Sequence, residues 1–104
     1  MTLIPETIQV NRRRWKVELQ DELITLEDGT NGRGFTCTDT RTIELADWLL
    51  DRPRLLLRTF IHEYLHAVEH EYDLKIPHKM IYELEKPLSS MVVKLAAHWE
   101  KMKR

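Results

Sequence analysis

The first 47 residues alternate in short steps. Ile8-Gln9-Val10 and Trp15-Lys16-Val17-Glu18-Leu19 put apolar side chains at every second position, the period of a strand with one buried face. Leu23-Ile24-Thr25-Leu26 reads as a third strand. Phe35–Asp39 and Thr42–Leu45 read as two more, joined by a turn at Asp39-Thr40-Arg41. Glu27–Gly34 holds all three glycines, with Asp28-Gly29 and Asn31-Gly32 among them, and is expected as a turn or loop. From residue 48 the period lengthens to that of a helix. Asp51 is the expected N-cap, Pro53 suits a first turn where its missing N–H costs little, and the helix should reach about Tyr72. Asp73–Pro77 breaks the pattern, and Pro77 opens a second helix. There Ile81, Leu84, Leu88, Met91, Val92, Leu95 and Trp99 keep an amphipathic spacing, while Pro87 should kink or divide the helix. These elements predict an α+β fold, a small antiparallel (mixed) sheet packed on two long helices.

Composition adds limits. At 104 residues, 42% apolar and 32% charged, the chain reads as one globular domain over 1–104. A net charge of −1 argues against nucleic acid as a partner, so Arg12-Arg13-Arg14-Trp15-Lys16 is expected to form solvated strand flanks and a turn, not a phosphate site. No apolar run approaches the ~20 residues of a membrane span, and MTLIPETIQV lacks the pattern of a secretory signal. Cys37 is the single cysteine, expected as a small buried hydrophobe, and with no disulfide to form the expected location is cytoplasmic. Trp48 and Trp99 are expected in the core.

The chemistry concentrates in RTFIHEYLHAVEHEYDL, residues 58–74. His62-Glu63-Tyr64-Leu65-His66 is an HExxH sequence. Positions four apart on a helix are neighbours, so two imidazoles can grip one Zn²⁺ while Glu63 takes a proton from water polarised by the ion. With five His and eleven Glu in the chain, chance supplies on the order of two such matches per hundred sequences of this kind. The apolar flanks Phe60, Ile61, Leu65, Ala67 and Val68 are also unlike those of a solvated face.

A catalytic zinc takes a third protein ligand. His70 continues the spacing of four, but His62 to His70 spans about 12 Å of helix, too far for one ion. His70 is therefore expected as a surface residue or one that orients a ligand. His78, Glu83 and Glu85 remain. Measured from Ile81, the apolar stripe of the second helix lies within about 80° either side, with Glu85 near 40° and Glu83 near 200°. A carboxylate on a buried stripe needs an ion or a basic partner such as arginine, so Glu85 is the expected third ligand. His78 is its rival, with a direction that the neighbouring Pro77 obscures.

HExxH with a glutamate 19 residues beyond its second His resembles the gluzincin metallopeptidases. The small size and strands-then-helices order look like the minigluzincins and the ImmA/IrrE-type metallopeptidases, often encoded near phage genes. The resemblance covers roughly residues 35–95 and is specific at HExxH and at Leu84-Glu85. It implies a zincin-like fold, His62, His66 and Glu85 as zinc ligands, and Glu63 as general base in peptide hydrolysis. In such enzymes a peptide or protein substrate lies as an extended strand along an edge strand, here Thr36–Asp39 or Thr42–Leu45. The glycine common after HE-L in many of them is Leu65 here, and the Ala-Asn after the ligand glutamate is absent from Glu85-Lys86-Pro87-Leu88-Ser89. His78, Tyr64, Tyr72 and Tyr82 are the candidates for stabilising an oxyanion. The competing reading is a zinc-bearing binding or regulatory module of the same fold without turnover.

Overall fold

The computed structural model describes residues 4–21, 24–25 and 31–103. Strands β1 (Thr7–Val10), β2 (Arg13–Gln20), β3 (Ile24–Thr25), β4 (Asn31–Gly32), β5 (Gly34–Cys37) and β6 (Thr42–Ala46) precede helices α1 (Pro53–Glu71) and α2 (His78–Met102). A short 3-10 helix, Asp47–Asp51, joins sheet to helices. Of the expected third strand only Ile24–Thr25 is seen, paired with Asn31–Gly32. Leu23, Leu26 and the Glu27–Thr30 part of the expected loop lie outside the described residues.

The main sheet is mixed, in the order β1-β2-β6-β5. β1 and β2 are joined by the two-residue turn Asn11-Arg12, both with positive φ (49° and 66°), the backbone of a type I′ hairpin. β5 and β6 are also antiparallel, whereas β2 and β6 run parallel, with Val17 beside Ile43 and Leu19 beside Leu45. That parallel pair makes the sheet the mixed form of the expected antiparallel (mixed) arrangement. Thr42–Ala46 is the most buried strand and takes a central place, and the long connection from Gln20 lets it enter in either direction. The strand alternation turns Trp15, Ile43 and Leu45 toward the helices, where with Val10, Ala46, Leu49, Leu56 and Ala67 they form the core. Trp15 is fully buried. The other basic-cluster residues, Arg12, Arg13, Arg14 and Lys16, are exposed on the turn and strand flanks.

Several local expectations change. Asp51 is not the cap of α1: the 3-10 helix runs through it, and Arg52 takes the N-cap position without a side-chain bond. Pro53 does occupy the first turn. Pro87 does not divide α2, which is continuous for 25 residues. The carbonyl its ring deprives of a donor belongs to exposed Glu83, where water can satisfy it. Trp48 and Trp99 are 40% and 59% exposed and so outside the core. Cys37 is half-buried rather than buried. Among the described residues no helix is long and apolar enough to cross a membrane.

The C-terminal end of α1 is fastened to both hairpin turns by Glu71. Its carboxylate accepts from Trp15 Nε1 (2.9 Å) and Arg41 Nε (2.7 Å), and its main-chain oxygen accepts from Asn11 Nδ2 (2.9 Å). Hydrogen bonding from Arg41 holds the Glu71 carboxyl below its ordinary value of 4.5, against the upward push of burial. The stabilisation is therefore complete above pH 4.5 and is lost as pH falls through the lower folded-state value. Glu71→Gln should lower the urea midpoint at pH 7. Urea titrations down the acid range should show the gap between variant and parent closing; a constant gap would count against the clamp.

Candidate metal centre

α1 carries its apolar residues inward because the HExxH flanks are apolar, and this sinks the motif between α2 and the edge strand β5. His62 and Glu63 are buried and His66 is half-buried. On α2, Ile81, Glu85 and Ser89 recur every four residues and are the buried face against α1. His78, the first residue of α2, follows Pro77, whose extended backbone turns the chain back over the motif.

Three imidazoles converge. One ring nitrogen each of His62, His66 and His78 lies within 4.8 Å of the others, and His62 Nε2 is 3.2 Å from His78 Nε2. Two nitrogens sharing a tetrahedral zinc at its usual bond length stand roughly 3.3 Å apart, so the His62–His78 spacing matches such an ion and the three rings together could hold a metal. The opposite side of two rings is already braced. His62 Nδ1 is 2.8 Å from Glu85 Oε2, and His66 Nδ1 is 2.9 Å from Glu69 Oε1. A ring that gives its Nδ1–H to a carboxylate keeps an Nε2 lone pair for a metal. Glu69 Oε2 also accepts from the Ile76 amide (3.0 Å), which ties the loop before His78 to the His66 ring.

Burial lowers the pKa of His62, more than its bond to Glu85 raises it, and its imidazole neighbours lower it further. The ring is thus biased toward the neutral form that binds metals. Burial pushes Glu63 the other way, up to about 7, opposed by its hydrogen bond from Thr36. Thr36 Oγ1 lies 2.9 Å from Glu63 Oε1 and 3.0 Å from the Glu63 main-chain oxygen.

Glu85 is as buried as its helical phase predicts, at 2% exposure, but it is not among the three converging groups. It sits behind His62 and also accepts from Arg58 Nη2 at 3.2 Å, the arginine partner weighed against metal ligation. His78, its rival, is in the group. His70 lies outside it on the cleft rim, edge-on to Trp15, and Glu83 is exposed on the far side of α2. Tyr64 packs against the core and Tyr72 is exposed; the Tyr82 ring lies steeply inclined to those of His62 and His78, at 4.9 and 4.7 Å between centroids.

A cleft of about 470 Å³ opens over these groups, floored by His62, Glu63, His66 and His78 and walled by Phe35, Thr36 and Thr38. Of the two expected substrate strands, Thr42–Leu45 is excluded, because β6 is paired on both sides. β5 is the edge strand. In comparisons with protein-family models, curated proteins and solved structures, none matches this chain.

Two residues of this site had no sequence signal of their own. Glu69 was one more polar residue of α1, and Gly34 belonged to a glycine-rich loop. A methyl group on Gly34 would meet Glu63 Cγ and Thr59 Cγ2 at 3.0 Å and the Glu44 carbonyl oxygen at 3.2 Å. Only a bare backbone lets β5 lie this close to α1. Gly34→Ala should cost about 1–3 kcal/mol in urea unfolding, the usual penalty of overpacking. An unchanged midpoint would mean that β5 yields freely.

Proposed function

We propose that this chain is a zinc-dependent peptidase of zincin-like fold, in which His62, His66 and His78 hold the ion and Glu63 is the general base. The observation that carries the reading is the convergence of three imidazoles, two braced by carboxylates, beside a buried glutamate in an open cleft. The HExxH resemblance supports the same chemistry. In the gluzincins the third ligand is a glutamate; here we assign that place to His78, and to Glu85 the task of orienting His62.

When bound, zinc supplies Lewis acidity, lowering the pKa of water and polarising a carbonyl oxygen. Glu63 removes the proton from the attacking water and delivers it to the leaving amine nitrogen. Burial raises this carboxyl to about 7, and a bound zinc ion would lower it toward the ionised form that a base needs. Thr36 holds the carboxylate in place. The outer edge of β5, unpaired among the described residues, hydrogen-bonds an extended peptide by strand addition, which sets its scissile bond over the histidines.

Metal analysis and turnover of a peptide library test the assignment. Protein purified without tag or added metal should carry one zinc per chain. Glu63→Gln should keep the zinc and lose about 10²–10⁴-fold in turnover. A parent protein that holds zinc but cleaves nothing would instead be a binding module. His78→Ala should weaken zinc binding by more than about 100-fold, while Glu85→Gln, which preserves an acceptor for His62, should cost about tenfold. The reverse order would make Glu85 the third ligand.

The base must be unprotonated to work. Removing the Thr36 hydrogen bond raises the Glu63 pKa, so Thr36→Val should move the acid limb of the rate profile to higher pH. A profile left in place would remove Thr36 from the mechanism.

A further inference from the structure

We infer that the ring of Tyr82 holds His78 in place as a metal ligand, an inference that rests on the reading of His78 as the third histidine of the centre. The three imidazoles are not braced alike. His62 and His66 each set Nδ1 against a carboxylate, Glu85 and Glu69. Among the described residues no such group meets Nδ1 of His78, which is also the most exposed of the three. Its side chain instead meets His62, Nε2 to Nε2 at 3.2 Å. That contact needs a proton between the two nitrogens, so it is lost whenever both turn lone pairs to an ion. A side chain at the first residue of a helix would then turn about two bonds at an entropic cost to binding. Something other than a hydrogen bond has to orient it.

Tyr82 supplies the contact. It stands one turn beyond His78, and a spacing of four on a helix brings two side chains together. Measured from Ile81, His78 falls at about 60° and Tyr82 at about 100°, on one flank of the buried face that carries Glu85 at about 40°. The Tyr82 centroid is 4.7 Å from that of His78 and 4.9 Å from that of His62, with interplanar angles of 60° and 59°. Inclined ring pairs at such distances attract. The His62 and His66 rings complete the surroundings of His78, at 5.1 and 5.3 Å. Of its three aromatic neighbours, Tyr82 is the one that is not itself a ligand. The core does not explain this tyrosine, which is 54% exposed. Nor is it among the described residues that line the cleft, so its ring and not its hydroxyl is the part that meets the site.

Zinc affinity of the full chain, measured by competition with a chromophoric chelator, tests the assignment. Tyr82→Ala should weaken zinc binding about tenfold, the loss usual for a partner that orients a ligand, and Tyr82→Phe should stay within about twofold of the parent. Alanine favours a helix more than tyrosine does, so the variant helix is not weakened by the exchange itself. A double-mutant cycle separates orientation from general packing. In a His78→Ala background, Tyr82→Ala should cost nothing further, because no ring is left to orient. Equal losses in both backgrounds overturn the inference, as does a Tyr82→Phe variant as weak as Tyr82→Ala. A parent that binds zinc, with Tyr82→Ala at full affinity, overturns this inference alone. A parent that binds no zinc overturns it together with the proposed function.

Discussion

A buried carboxylate organises this molecule. Glu85 lies at the contact of α1 and α2, where an unpaired charge would cost several kcal/mol, and it survives there by accepting from Arg58 and His62 together. Those partners are one helical turn apart on α1. Satisfying both fixes α2 along the axis of α1 and around it, because a slip in either direction abandons one of them. The fit to the arginine is incomplete, since Arg58 Nε is buried without a partner. The shorter bond to His62 therefore sets the geometry, and the same bond that aligns the helices also aims an imidazole.

On its other side α1 is held by the sheet. The absence of a side chain at Gly34 brings β5 against Thr59 and Glu63, and Thr36 then reaches the Glu63 carboxylate. An edge strand, a glutamate and three histidines come together because a helix is pressed between a strand and a second helix. Each contact that positions the site is also one that packs the fold. The candidate site therefore rests on regular elements, with His78 at the first residue of α2 where the loop ends.

What could be read from the sequence follows the range of the interactions involved. The strand period at Trp15–Leu19, the two long helices and the pairing of His62 with His66 are local, and all were legible. The burial of Glu85 was legible too, from helical phase. Its partners were not, because they depend on which turn of α1 it meets. His78 was hidden by Pro77, since a chain direction after an extended proline is set by tertiary contacts. The parallel pairing of β2 with β6 joins residues more than twenty positions apart and left no short-range trace. Trp99 shows a further limit: its spacing announces an apolar stripe and is silent on whether its own chain covers it.

Glu69 carries a consequence for how the site comes into being. One of its oxygens holds the ring of His66 and the other holds the Ile76 amide, two residues before His78. The helix that presents two imidazoles and the loop that delivers the third are thus stitched together by protein groups alone. The order of the His66 ring and of the loop before His78 is part of the folding of the helical hairpin. A change at Glu69 would therefore loosen two of the three histidines at once, although neither the helix nor the loop would lose its own backbone bonds.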